Sequence, residues 1–319
     1  MRICVLDLGG MSFHLLHVRS VGDGQFVHLG NLRLPTRLGK HTIQSGVIDA
    51  EGWRNAMDDL EVLCEEIRTL APDRIVAVAT SAVRAASNSH AFIAEVRKRF
   101  GLHIEVLDEV QEAALCYRGA ASELENWSGP LAVVDLGGGS CEVAVGAGAK
   151  YQRSISADIG VLPLREAFGI TDVVSELKAD ALSEVVRMSL RPASSMLASA
   201  APERLVLASG TARAVHALAR SVFGGALPPG QMTLMQARKV RQFVTGRSSQ
   251  EFLDHDVQIH RVDVIAIAVI VIETIMSQLS CLTAEFSNRG LREGVVLREM
   301  ESRNFLATAE GSEAASPSL

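Results

Sequence analysis

The phrase Val5-Leu6-Asp7-Leu8-Gly9-Gly10-Met11-Ser12 returns, little changed, as Val133-Val134-Asp135-Leu136-Gly137-Gly138-Gly139-Ser140. Each copy is an apolar run that ends in an aspartate, passes through small residues and enters a second apolar segment, Phe13 to Val18 or Cys141 to Val145. That grammar predicts strand, tight turn, strand, twice over. Glycines in such a turn let backbone N–H groups converge on an anion, and a carboxylate at the strand end can hold a divalent cation bridging phosphate oxygens. One Asp-Leu-Gly-Gly turn also serves as a plain hairpin; the repetition points to two phosphate-gripping loops.

The flanking pattern repeats too. After the first hairpin, Gln25 to Leu34 reads as a strand, and Asp49 as the N-cap of a helix on which Trp53, Met57, Leu60, Cys64 and Ile67 recur every three or four residues. Arg74 to Ala79 and His103 to Leu107 read as strands, His90 to Phe100 and Glu109 to Gly119 as helices. The second unit has strands at Leu131 to Asp135, Glu142 to Val145, Gln152 to Ile155 and Arg204 to Ala208. It continues with a helix opened by Ser209-Gly210-Thr211, helices over Thr233 to Thr245 and Val262 to Leu279, a strand at Leu282 to Phe286 and a closing helix. The order βββαβαβα occurs twice, with a break at Ala121 to Pro130. The expected units are 1–120 and 121–306, followed by an Ala/Ser/Glu/Pro-rich tail, 307–319, without apolar period and expected to be disordered.

The 319 residues suit two domains, and a net charge of −6 argues against a general nucleic-acid-binding surface while leaving room for a local basic pocket. Five scattered cysteines without a C-x-x-C pair indicate reduced thiols and a cytoplasmic location. Asp7 interrupts the apolar start, which argues against a signal peptide, and the greasy run Val264 to Ile272 is far short of the roughly 20 residues of a membrane span. No membrane association is expected.

Beyond the two loops, the chain resembles the exopolyphosphatase and guanosine-pentaphosphate phosphatase family (Ppx/GppA). Five stretches carry the likeness: Asp7-Leu8-Gly9 with Ser12-Phe13-His14; Ala79-Thr80-Ser81-Ala82-Val83-Arg84 with Asn88; Ile104-Glu105-Val106 with Glu112-Ala113-x-Leu115; Asp135-Leu136-Gly137-Gly138-Gly139-Ser140-x-Glu142; and Leu291-Arg292-Glu293-Gly294. Ser209-Gly210-Thr211 and Arg261-x-Asp263 agree. The duplicated order and the resemblance together imply an α/β fold of two actin-like (ribonuclease H-like, ASKHA) domains with the active site in the cleft between them. The implied activity is release of terminal orthophosphate from inorganic polyphosphate or guanosine pentaphosphate. Glu112 corresponds to the catalytic glutamate, and Asp7, Asp135 and Glu142 to a site for Mg²⁺ or Mn²⁺. Gly9, Gly10, Ser12, Arg84, Gly137, Gly138, Gly139, Ser140, Gly210 and Thr211 are the implied phosphate-binding set. Dimerisation through exposed helices is left open.

Two departures from the family's pattern carry a second hypothesis. Gly10 and Met11 replace polar residues of the first loop, and Asp108-Glu109-Val110-Gln111 brings negative charge in front of Glu112. The alternative is a weak or inactive member that binds phosphate-rich nucleotides as a sensor; a kinase on the same fold ranks third. Several features read as structural: His14 and His17 on a strand face, Arg292-Glu293 as an internal ion pair, and Asp254-His255-Asp256 with His260 and Asp263 as capping and pairing groups rather than a metal site.

Overall fold

The apolar runs of the repeated phrase become central strands of two mixed sheets. The computed structural model describes residues 1–313 apart from residues 23, 43, 44, 125 and 256, and side chains to residue 303 except that of His41. The first unit comprises β1 (Arg2–Leu8), β2 (Phe13–Gly22), β3 (Gln25–Leu34), α1 (Ala50–Leu70), β4 (Arg74–Ala79), α2 (Ser81–Ala85), α3 (Ser89–Phe100), β5 (Ile104–Val106) and α4 (Glu109–Ala121). The second begins with β6 (Pro130–Leu136), β7 (Cys141–Ala147), β8 (Lys150–Ala157), α5 (Val161–Ala167), α6 (Glu176–Ser189), α7 (Arg191–Ala200), β9 (Arg204–Leu207) and α8 (Gly210–Val222). It ends with β10 (Gln231–Thr233), α9 (Leu234–Val244), α10 (Ile265–Gln278), β11 (Thr283–Phe286) and α11 (Leu291–Glu313).

The sheet orders are β3-β2-β1-β4-β5 and β10-β11-β9-β6-β7-β8. With β8, β7, β6, β9 and β11 in the places of β3, β2, β1, β4 and β5, the orders coincide. Both hairpins are antiparallel and both central crossovers parallel. This is the duplicated actin-like architecture the pattern implies. The short edge strand β10 escapes sequence reading because only Met232 of its three residues is buried.

Strand parity places the functional residues. Cys4, Leu6 and Leu8 of β1 join the core beneath α1 and α3, whereas Ile3 and Val5 pack with Val295, Val296 and Met300 of α11. Asp7 shares the parity of Ile3 and Val5. In β6, Ala132, Val134 and Leu136 belong to the main core of the second unit, while Leu131 and Val133 pack with Ala113, Cys116, Tyr117 and Ala120 of α4. Asp135 shares their parity. A strand buried on both faces reads as a continuous apolar run, and its one carboxylate at the end stands out for that reason.

Helices α4 and α11 thus cover the inner faces, α4 on the second sheet and α11 on the first. They cross in backbone contact: a Cβ on Gly119 would lie 1.9 Å from Gly290 O, and one on Gly294 1.9 Å from Leu115 O. Only glycine permits that approach. The crossing brings the N-termini of both helices to the ends of β1 and β6.

Helix α11 reaches Glu313, so the stretch from 307 to 313 is helical backbone rather than the expected disordered tail; residues 314–319 lie outside the described residues. The five cysteines form no disulfide. Among the described residues, no helix is long and apolar enough to cross a membrane.

Candidate active site

A cavity of about 120 Å³ lies where the ends of β1 and β6 meet the N-termini of α4, α8 and α11. Both turns line it, Gly9, Gly10, Met11 and Ser12 from the first, Leu136, Gly137 and Gly138 from the second. The N–H groups of Gly10, Met11 and Gly138 have no partner among the described residues, while that of Gly137 donates to Ser140 O at 2.9 Å. The loops interlock: a Cβ on Gly138 would lie 2.7 Å from Met11 Cγ, and one on Gly139 2.6 Å from Ser81 Oγ. Met11 is 6% exposed and belongs to the core of the second unit. Its thioether therefore joins the two units, and its N–H remains available to an anion.

Asp7, Asp135 and Glu112 face the cavity. Burial, with the nearby negative charges of Asp135 and Glu293, pushes Asp7 up to about 6 despite Arg292, and one of its oxygens, Oδ1, has no hydrogen-bond partner. Burial likewise raises Asp135 to about 6 against the nearby charges of Arg213 and Arg292, while the adjacent Cys116 thiol donates to Ala208 O. Glu112 sits in the first turn of α4 and is 7% exposed. Burial raises it to about 7, the Arg84 hydrogen bond and charge oppose that rise, and Asp135 and Asp7 add to it. Its acidic forerunners prove structural. Asp108 accepts a hydrogen bond from Gln111 N at 2.8 Å and donates its own N–H to Gln111 Oε1, a capping box that starts α4 and keeps these exposed groups off the cavity lining.

The opposite wall is basic. Ser209 caps α8 by accepting from Ala212 N at 2.8 Å, which aims the helix N-terminus, with Gly210 and Thr211, into the cavity. Arg213, Arg261 and Arg292 complete this wall. Arg261 donates to Thr211 Oγ1 at 3.1 Å, and a Cβ on Gly210 would lie 2.6 Å from its Nη2. Burial and the charges of Arg33 and Arg213 pull Arg261 down to about 9; Arg213 is lowered by burial and Arg292. A larger space of about 440 Å³, lined in part by His14, Arg33, Arg213, Arg261 and Arg292, adjoins the first and shares several of its walls.

Not every expected residue lands here. Arg84 is absent from the cavity wall; its guanidinium donates to Glu112 Oε2 and Leu107 O, both at 2.8 Å, so it orients the glutamate. Ser140 and Glu142 are buried behind the loop: Glu142 accepts from Ser156 Oγ at 3.0 Å, and burial with Glu112 and Asp135 drives its carboxyl well above the usual range. Gly139 supports the loop against Ser81. Arg292 does not pair with Glu293: it donates to His14 Nδ1 at 3.0 Å, while Glu293 accepts from Gly290 N at 2.9 Å and so holds the start of α11. Asp263 is ion-paired to Arg37 and Arg165, and Asp256 lies outside the described residues.

Sequence reading missed the arginine wall. Arg213 lies two residues past Thr211, and Arg261 and Arg292 stand inside noted motifs, but nothing local shows that they converge. A cation would find two carboxylates of the right chemistry, Asp7 with an orphaned oxygen and Asp135. Among the described residues, no three His, Cys, Asp or Glu side chains cluster as a complete metal site. Oxygen ligands with remaining positions left to water and phosphate suit Mg²⁺ or Mn²⁺.

The profile of the Ppx/GppA phosphatase family matches residues 17–303. An exopolyphosphatase from Cytophaga hutchinsonii superposes with a TM-score of 0.87 at 26% identity, over 95% of this chain and 98% of that one. The Aquifex aeolicus member of the Ppx/GppA family superposes with a TM-score of 0.78 at 26% identity, over 95% and 99%.

Proposed function

Because this chain belongs to the Ppx/GppA phosphatase family, we propose that it hydrolyses the terminal phosphoanhydride bond of inorganic polyphosphate or of guanosine pentaphosphate, with Glu112 as general base. The observation that carries this reading is Glu112 itself: a buried carboxylate held near neutrality in a cavity whose other walls are two glycine turns, two strand-end aspartates and three arginines.

The terminal phosphoryl group would sit between the turns, its oxygens accepting from Gly10, Met11 and Gly138 N–H and from the N-terminus of α8. Glu112, oriented by Arg84, takes a proton from the attacking water as the new P–O bond forms and the bridging P–O bond breaks. A group titrating near 7 is matched to that task at neutral pH. Arg213, Arg261 and Arg292 hold the negative charge that collects on the leaving phosphate chain, in a site where preorganised donors act most strongly. Asp7 and Asp135 would hold a divalent cation, which supplies charge neutralisation of the phosphate oxygens. The adjoining basic space gives the remaining phosphates somewhere to lie. Titratable carboxylates and crowded arginines share one small cavity, an arrangement that suits a cation and a polyanion bound together.

The family member of the Cytophaga structure is an exopolyphosphatase, which favours polyphosphate as the first substrate to test. The test is orthophosphate release from long-chain polyphosphate, tripolyphosphate and guanosine pentaphosphate with Mg²⁺ or Mn²⁺, beside Glu112→Gln. Turnover falling by on the order of 10²–10⁴ in the variant is expected. No release above the variant, with tight nucleotide binding, would replace the hydrolase by the sensor.

A further inference from the structure

The two hairpins carry matching cross-strand rows. In the first, Asp7, His14 and Arg33 stand opposite one another on β1, β2 and β3; in the second, Asp135, Glu142 and Ser156 do so on β6, β7 and β8. At the end of each turn stands a serine, Ser12 or Ser140, but only Ser12 bonds the middle residue of its row. Ser140 is buried and does not line the cavity, and the hydroxyl that bonds Glu142 is that of Ser156.

Ser12 is arranged the other way round. Arg292 Nη1 lies 3.0 Å from His14 Nδ1, and a guanidinium can only donate, so Nδ1 is the acceptor and the proton of the neutral ring sits on Nε2. Four neighbouring arginines and burial keep this ring neutral, pulling His14 down to about 2. Nε2 is 2.8 Å from Ser12 Oγ and therefore donates to it. Arg33 Nε donates to the same oxygen at 3.0 Å. Both lone pairs of the hydroxyl are then occupied, and its own proton has no acceptor among the described residues. Ser12 is 4% exposed and lines the cavity.

We propose that His14, together with Arg33, is a positioning residue that fills both acceptor sites of the Ser12 hydroxyl and so makes it an obligate donor to a phosphate oxygen of the substrate. The hydroxyl cannot turn to accept, so it can bond only an acceptor, and it bonds an ionised phosphate oxygen most strongly. The first hairpin thereby keeps one side-chain donor at Ser12, although Met11 supplies none. This inference rests on reading the cavity as a phosphate site and is independent of turnover.

The experiment is a double-mutant cycle with tripolyphosphate as probe. Affinity is measured by calorimetry in the Glu112→Gln background, where substrate persists, and kcat and KM in the otherwise unaltered enzyme. Ser12→Ala and His14→Leu should each weaken binding by roughly 10- to 100-fold, the loss of one hydrogen bond to a charged group. The double variant should be no weaker than Ser12→Ala within about twofold, since the histidine acts through the serine. His14→Gln, whose Oε1 accepts from Arg292 and whose Nε2 donates to Ser12, should restore binding to within about fivefold of the parent. Should His14→Leu fail to fold by its thermal midpoint, His14→Asn, too short to span both partners, takes its place in the cycle. Additive losses, an inert Ser12→Ala, or a His14→Gln as weak as His14→Leu would each overturn the proposal. Loss of hydrolysis in the unaltered enzyme with the cycle still non-additive in binding would overturn the hydrolase reading and leave this one standing.

Discussion

The two hairpins begin alike and end opposed. Both carry an aspartate at the same parity on a doubly buried strand, and burial raises both to about 6. One strand further on, the first presents His14 and Arg33 to the cavity side, whereas the second hides Glu142 and Ser156 behind its loop. Duplication supplies two equivalent frames, and a change of one cross-strand row turns one frame toward the anion while the other adds to the acid cluster. A repeated motif therefore states where chemistry happens; its cross-strand neighbours state which half of it each copy does.

Neutralising the shared carboxylate is the harshest way to test what the frames have in common. Asp7→Asn and Asp135→Asn should each lower Mg²⁺-stimulated phosphate release by on the order of 10²–10³, measured as kcat/KM. A loss confined to one of them would show that only one hairpin takes part in cation chemistry.

A smaller effect separates the loops. Met11→Asn brings the first turn closer to the family's usual phrase, and from sequence it should gain a phosphate donor. Met11 instead packs on Gly138 and into the second core, so the polar substitution should cost about 2 kcal/mol of stability without raising turnover. Denaturant unfolding and initial rates check both halves; a faster, equally stable Met11→Asn would restore the sequence reading.

The gentlest probe is pH. Asp7 and Asp135 are raised from 3.8 to about 6 and Glu112 from 4.5 to about 7, so the folded state keeps protons that the unfolded chain has released. Their contribution to stability is complete below about pH 4 and is lost as pH rises to about 7. A divalent cation replaces those protons. Mg²⁺ should therefore raise the thermal midpoint by a few degrees at pH 8 and by much less at pH 5. Equal shifts at both pH values would mean that the cation binds elsewhere.

Much of this was legible before the structure. Apolar runs broken by a terminal aspartate gave both central strands, and the spacing of the flanking elements gave the duplicated order. Glu112 was found by its motif, and its placement on the first turn of α4 brings it to the cavity. What escaped depends on helices that cross between units. Arg292 and Glu293 are sequence neighbours, and ion pairing is the local expectation. The glycine contacts of Gly119 and Gly294 set α11 so that Arg292 reaches His14 and Glu293 turns to Gly290 N. Arg84 reads as a free donor until its distance to Glu112 is known. The partner of a charged side chain is a long-range property, and periodicity carries no information about it.

The central claim is that Glu112 drives water onto a terminal phosphorus. Hydrolysis of tripolyphosphate in oxygen-18 water, with the released orthophosphate read by mass spectrometry, tests it directly. Water attack at the terminal phosphorus predicts one labelled oxygen in each orthophosphate released, at a rate that collapses in Glu112→Gln. Unlabelled orthophosphate, or equal rates in the two proteins, would contradict it.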